Sequence, residues 1–154
     1  MSVTRGEHSG RKLKIGVVVS RFNEEVTSRL LSGALSALEA CGVALKNTFV
    51  ISVPGAFEIP GAAKRLIESK SVDAVVCLGA VIRGETEHFH YVSSAAQQGV
   101  LKVSLDSGVP CTFGVLTTNS ADQAMERAGG DRGNKGYEAA SDAVEMADLY
   151  RRIG

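Results

Sequence analysis

Four short runs of apolar, β-branched residues alternate along the chain with segments of helical periodicity. The runs cover residues 14–20, 47–53, 72–81 and 111–118. Each is nearly continuous in its apolar character, which is typical of strands that helices cover on both faces of a sheet. The alternation predicts repeated βαβ units, and therefore an α/β fold in which a four-stranded parallel sheet lies between two layers of helices.

Helical periodicity predicts five helices around this sheet. Asn23 is placed to cap the first helix and Gly42 to end it, while Pro60 is tolerated because it falls in the first turn of the second. The apolar stripes of the five helices lie within residues 24–41, 59–67, 89–103, 121–128 and 140–150.

The remaining segments indicate one domain. Residues 1–12 carry no periodic pattern, so we expect an N-terminal tail that only a partner would order, followed by a single domain at 13–154. A cluster of glycines between the last two helices predicts a flexible connection; it consists of Gly129, Gly130, Gly133 and Gly136.

The composition narrows the class of protein. Of 154 residues, 44% are hydrophobic and 22% charged, which disfavours disorder, and 17 Lys and Arg balance 17 Asp and Glu. The lack of a basic excess argues against a nucleic-acid partner. No apolar run is long enough for a membrane helix and residues 1–12 lack a signal-peptide core, so we expect a cytoplasmic protein with no membrane partner. Three cysteines, Cys41, Cys77 and Cys111, lie in apolar runs and predict reduced, buried thiols.

Polar and aromatic side chains cluster where the predicted strands end. In an open parallel sheet, ligands bind outside the carboxyl ends of the strands, where loops and helix N-termini converge. The segments at these ends are SRFN at 20–23, PGAFEIP at 54–60, GAVIRGETEHFHY at 79–91, and Phe113 with TTN at 117–119. These segments are the candidates for a binding or catalytic site.

At these strand ends the chain resembles the lumazine synthase family. The matching pieces are SRFN, VPGAFEIP, LGAVIRGETEHFHYV, FGVLTTNS, QAMERAG and GNKG, which occur in this order between residues 20 and 136. The resemblance implies a flavodoxin-like three-layer sandwich and a transferase of riboflavin biosynthesis. That enzyme condenses 5-amino-6-(D-ribitylamino)uracil with 3,4-dihydroxy-2-butanone 4-phosphate and forms 6,7-dimethyl-8-ribityllumazine, phosphate and water. No cofactor is expected.

His88 is the candidate catalytic residue. The condensation needs a proton shuttle, and an imidazole can both accept and return a proton near neutral pH. From the residues alone, a capping or surface histidine is the alternative. The resemblance places the catalytic histidine of the family at His88.

Arg127 is the candidate phosphate ligand, because a guanidinium matches phosphate oxygens with a fork of N–H donors. By spacing alone, a solvated surface residue is the alternative, and the resemblance implies a phosphate role for Arg127, Glu85 and Thr86. Relatives often have a small or uncharged residue at position 85, and a carboxylate would repel phosphate. We therefore expect the backbone N–H of Glu85 to face the site and its side chain to point outward.

A flat heterocycle needs aromatic faces and backbone hydrogen-bonding groups. Phe22 and Phe113 can offer such faces, although two core phenylalanines are the plain alternative. The resemblance implies that an aromatic at Phe22 stacks on the uracil ring and that Phe113 comes from the neighbouring subunit, which leaves Phe49 and Phe89 for the core. It also implies binding groups at Ala56, Phe57, Glu58, Ala80, Val81 and Ile82, with Asn23, Asn119 and Lys135 as weaker candidates at the rim.

His90 stands where relatives often have an acidic residue, and together with His88 it forms an H-x-H pair. No third ligand is suitably spaced nearby, and residues two apart on a helix do not share a face. We therefore expect no metal.

Other functions on the same fold fit the sequence less well. An FMN carrier needs a Ser/Thr-rich phosphate loop after the first strand, but residues 20–25 are SRFNEE. A receiver domain needs an acidic residue at the end of the third strand, which instead ends in AVI at 80–82. A P-loop enzyme needs a glycine before its lysine, whereas Asn134 precedes Lys135.

The resemblance also implies an oligomer, since Phe113 would serve the site of a neighbour. The family forms pentamers, and in some members twelve of them pack into a hollow shell. The short connection at 129–136 lacks the insertion of some pentamer-only relatives, which favours a shell of sixty subunits, a container whose cargo the sequence leaves open. Two small-molecule substrates and riboflavin synthase are the other expected partners.

Overall fold

A four-stranded parallel sheet forms the middle layer of the protein. The computed structural model describes all 154 residues. The sheet has the order β2-β1-β3-β4, with every pair parallel. Its strands are β1 (Ile15–Ser20), β2 (Thr48–Val53), β3 (Ala74–Ile82) and β4 (Cys111–Thr118). The structure confirms the α/β sandwich expected from the alternating pattern.

Helices cover both faces of this sheet. They are α1 (Glu24–Ala40), α2 (Ile59–Lys70), α3 (His88–Ser107), α4 (Ala121–Glu126) and α5 (Lys135–Ile153). One apolar cluster joins α1 and α5 to one face, and a second joins α2 and α3 to the other. Successive residues of β1 alternate between the two clusters, so Val17 and Val19 point to the first and Val18 to the second. None of the helices is both long and apolar enough to cross a membrane.

The two inner strands are buried along nearly their whole length, whereas β2 is not. Val50 and Ile51 of β2 are 43% and 38% exposed, and Ser52 is exposed beside them. The expectation that helices cover every strand is wrong for β2. The reason is the sheet order, which places β2 at an edge that the helices of this chain cover only in part.

The glycine-rich connection is a fixed hairpin and not a flexible linker. Strands β5 (Ala128–Gly130) and β6 (Gly133–Asn134) pair antiparallel, and Gly133 takes a positive φ of 77° in the turn. Asn134 caps α5 by accepting a hydrogen bond from the N–H of Tyr137 at 3.0 Å. Gly136 lies inside α5, where a Cβ would overlap the backbone of Leu30. Helix α5 begins at Lys135, five residues before its apolar stripe. The absence of a side chain at Gly136 lets α1 and α5 cross in close contact.

The N-terminal segment lies against α5 of its own chain. The N–H of Glu7 donates to the carboxylate of Asp148 at 2.8 Å, and Arg152 bonds the same carboxylate at 2.6 Å. These two donors hold the pKa of Asp148 below its usual range. Gly6 and Gly10 are buried along this path. The segment that we expected to need a partner for order is thus docked within the chain.

Candidate active site

A cavity of about 730 Å³ opens at the carboxyl end of the sheet. Its position is the switch point between β1 and β3, where the chain changes direction across the sheet and where ligands of open α/β folds bind. Phe22 lines the cavity after β1, residues 54–58 line it after β2, and residues 80–82 form the wall from β3. The loop after β3 and the first turns of α3 close the remaining side. Most of the candidate residues for the heterocycle therefore meet in one place.

Three phenylalanines give this cavity aromatic walls. Phe22 and Phe57 are 72% and 65% exposed and line the same cavity. Exposed apolar side chains that lie together in this way are typical of a surface that meets a ligand or a partner. Phe89 also lines the cavity, although we expected it in the core. It packs partly on the apolar cluster and presents the rest of its ring to the cavity, because it lies in the first turn of α3 beside Val92. Its position in the sequence directly after His88 could have indicated that it lines the cavity.

His88 is the first residue of α3 and lines the same cavity. Its backbone N–H donates to the hydroxyl of Thr86 at 3.4 Å, while no protein group bonds its imidazole. The imidazole is therefore free to exchange a proton with a bound molecule. Gly84 and Thr86 line the cavity at the positive end of this 20-residue helix, whereas Glu85 between them is exposed and lies outside the lining.

His90 belongs to a separate cluster on the outer side of the loop. Its Nε2 lies 3.0 Å from an Nη of Arg83, and because a guanidinium only donates, this imidazole nitrogen accepts the bond. Arg83 also stacks over the ring of Phe89 at 5.6 Å, and Glu87 lies 3.8 Å from His90. No three His, Cys, Asp or Glu side chains converge in a way that would hold a metal ion.

Asn23 ties two walls of the cavity together. Its side-chain amide donates to the carbonyl of Ala80 in β3 at 2.9 Å. The expectation that this side chain caps α1 is wrong, because the residue adopts a left-handed conformation that turns the amide toward β3. Only its backbone carbonyl serves the helix, by accepting from Val26 and Thr27. The loop that carries Phe22 is thereby held against the strand that ends beside it.

A second hollow, of about 370 Å³, lies along the free edge of β4. Residues 115–118 form its floor, and Arg127, Arg132, Lys135 and Glu138 surround it. Arg127 is held by a bond from its Nη1 to the carbonyl of Gln123 at 2.9 Å and lies 3.5 Å from a carboxylate oxygen of Glu126. The hollow shares no residue with the cavity at the switch point. We call the two sites the aromatic cavity and the basic hollow.

Phe113 and Asn119, like Asn23 and Glu85, line neither site. Phe113 pairs in register with Cys77 near the middle of the sheet, so its expected place at a strand end is wrong. It lies on the edge strand β4, partly buried against the apolar cluster under α3. Asn119 follows β4, and its N–H donates to the side chain of Gln123 at 2.8 Å. Phe113, Arg127 and Lys135 thus lie on the β4 side of the chain, away from the aromatic cavity.

Taken together, the fold and the two sites define an α/β protein with an aromatic cavity beside a free imidazole and a separate hollow lined by cations, features typical of an enzyme with a small-molecule substrate. Comparison with known proteins makes this class specific. The family model of 6,7-dimethyl-8-ribityllumazine synthase matches residues 12–151. The chain is also 53% identical over 152 residues to the 6,7-dimethyl-8-ribityllumazine synthase of Syntrophus aciditrophicus (strain SB), with 99% of each chain covered. The chain belongs to the 6,7-dimethyl-8-ribityllumazine synthase family, which confirms the resemblance.

Proposed function

We propose that this protein condenses 5-amino-6-(D-ribitylamino)uracil with 3,4-dihydroxy-2-butanone 4-phosphate to give 6,7-dimethyl-8-ribityllumazine, phosphate and water. Family membership supports the reaction. The structural observation that carries it is the free imidazole of His88 at a cavity with two exposed phenylalanines. The cavity has the apolar lining and few polar groups that a small heterocycle requires.

The aromatic cavity binds the uracil substrate. Phe22 stacks on the ring, since it offers an exposed face at the mouth of the cavity. Phe57 and the backbone groups of Ala56 and of residues 80–82 line the space around it and bind the ring edge and the ribityl hydroxyls. Glu58 adds a carboxylate that accepts hydrogen bonds from the substrate.

His88 moves the protons of the reaction. The primary amine of the uracil attacks the ketone, and loss of water gives an imine. His88 then takes a proton from the carbon next to the imine as the phosphate departs from the adjacent position. The enol so formed moves its hydroxyl proton to the terminal carbon and becomes a ketone. Attack of the ribitylamine nitrogen on this new carbonyl closes the ring, and His88 returns its proton to the hydroxyl that leaves as a second water. These steps need no attack at phosphorus.

The phosphate-binding cations come from a neighbouring copy of the chain. Gly84 and Thr86 supply a backbone amide and a hydroxyl beside His88 in the aromatic cavity, whereas Arg127 and Lys135 lie in the basic hollow. Joining the basic hollow of one copy to the aromatic cavity of the next completes the site and also brings Phe113 to it. Because the two surfaces differ, the contact is heterologous, and repeated rotation closes a ring.

An exposed apolar stripe on α3 supports an oligomer. Tyr91, Leu101 and Leu105 are 73%, 57% and 72% exposed and share one face of this helix at helical spacing. We assign five copies to the ring and twelve rings to a shell. The hairpin at 128–134 is short and lacks the insertion of some pentamer-only relatives, which supports the shell. Sedimentation tests this assignment, since a species of pentamer mass would contradict the shell.

Two parts of the proposal rest on the family resemblance. These are association with riboflavin synthase, which consumes the product, and a cytoplasmic location. Co-purification tests the first part and cell fractionation tests the second.

The direct test mixes the purified protein with both substrates and follows lumazine fluorescence together with phosphate release, which should appear in equal amounts. His88→Ala should lower turnover by roughly 10²-fold, the lower range for general acid–base catalysis. The matched control is His8→Ala, because His8 pairs with Glu145 at 3.1 Å far from the aromatic cavity. Full turnover in His88→Ala would remove this residue from the mechanism, and absence of product from the wild type would refute the function.

A further inference from the structure

The basic hollow contains one cation that neither the motifs nor the spacing along the chain singled out. Arg132 lies at the turn of the β5–β6 hairpin and lines the hollow with Arg127 and Lys135. Two backbone bonds fix this arrangement. The N–H of Arg132 donates to the carbonyl of Glu126, and the N–H of Lys135 donates to the carbonyl of Arg127, both at 2.8 Å. The hairpin is therefore clamped to the end of α4, with the three cations around one space.

The charges in this space are not balanced within the chain. Glu138 is the only carboxylate that lines the hollow with the three cations. Arg127 is partly engaged by Glu126 and by the carbonyl of Gln123. Arg132, in contrast, is exposed, and its guanidinium makes no ion pair or hydrogen bond, so all of its donors remain available. A hollow of about 370 Å³ holds roughly a dozen waters and so has room for a phosphate group.

We propose that Arg132 is a further binding residue for the phosphate group of the butanone phosphate, acting beside Arg127 and Lys135. The inference deepens the proposed function and rests on it. Two guanidinium forks and one ammonium can bind different oxygens of the same phosphate group. Arg132 acts on the phosphate and not on the carbons that react, so it contributes to binding more than to turnover.

Steady-state kinetics of Arg132→Ala test this role. We expect KM for the butanone phosphate to rise roughly tenfold, which corresponds to about 1.4 kcal/mol, while kcat and KM for the uracil substrate stay near the wild-type values. Arg132→Lys keeps the charge but loses the fork, and its KM should lie between the two. The matched control is Arg65→Ala, which removes an exposed arginine without an ion pair from α2.

Inorganic phosphate provides a second readout that does not depend on turnover. Its binding to the assembled protein, measured by phosphorus NMR titration, should weaken in Arg132→Ala by about the same factor as KM rises. Unchanged phosphate affinity would overturn the proposal, even if KM changed. If the wild type bound phosphate but formed no lumazine, the proposed function would fail, while the phosphate affinities of the two proteins would still decide the role of Arg132.

Discussion

A mixture of two impaired variants should recover activity if the active site is divided between copies. His88→Ala disables the aromatic cavity and leaves the basic hollow intact, whereas Arg127→Ala does the reverse, because no residue lines both sites. In a mixed ring, a site is complete wherever an Arg127→Ala copy supplies His88 and its neighbour, a His88→Ala copy, supplies Arg127. Random mixing in equal amounts gives this arrangement at about a quarter of the contacts, whatever the number of copies in the ring.

The assay uses the two variants unfolded together and refolded as a mixture, with each variant refolded alone for comparison. The butanone phosphate is kept below its KM, so that loss of Arg127 is fully expressed. Activity of the mixture should rise from the mean of its two parents toward about a quarter of the wild type.

A second mixture serves as the control. His88→Ala combined with Phe22→Ala damages the same aromatic cavity in both partners, so no contact in the mixed ring regains a complete site. The division of the site between copies would be refuted if the first mixture showed no more activity than the mean of its two parents. It would also be refuted if both mixtures recovered equally.

Three further predictions concern packing and ionisation. Gly136→Ala should destabilise the protein by about 1–3 kcal/mol in urea unfolding, because its Cβ meets the backbone of α1, whereas Gly61→Ala, with nothing within 4 Å, should not. The lowered pKa of Asp148 means that its carboxylate stabilises the fold above the usual aspartate range, and this stability is lost as pH falls. Asp148→Asn should therefore flatten the acid side of a plot of stability against pH, and it should speed amide exchange in the N-terminal segment, which this carboxylate binds. Burial raises the pKa of Cys111 to about 11 and also raises that of Cys77, so alkylation of these two thiols in the native protein at pH 8 should be slow, and their rapid labelling would contradict this. Because the same thiols ionise near pH 8.5 in the unfolded chain, the free energy of unfolding should fall as pH rises above about 8.5.

The strands and helices were predictable because each one carries its own pattern. The inner strands β1 and β3 lie within two residues of the predicted runs, since a buried strand must be apolar along its whole length. The exposure of Val50 and Ile51 was not predictable in this way. It depends on which strand lies at the edge of the sheet, and that order arises from contacts between distant segments.

The candidate site likewise contains residues that the sequence predicted and residues that it did not. The loops at the strand ends converge as the general rule for parallel sheets requires, so Phe22, Phe57 and His88 were found from their positions. Phe89 and Arg132 were missed because lining a cavity depends on how a helix or hairpin is rotated against its neighbours. Gly136 suggested flexibility in the sequence, but the close passage of α1 requires a glycine there.

The two outer strands have a consequence for the life of the newly made chain. β2 and β4 both leave one row of backbone N–H and C=O groups without a strand partner, and neither strand contains a charged residue or a proline. Such edges are templates for uncontrolled strand pairing, which proteins usually block with lysine, proline or a bulge. A chain that has folded but not yet met its partners is therefore exposed to aggregation through these two edges. We therefore expect the yield of folded protein to depend on how fast copies find each other as well as on how well each one folds.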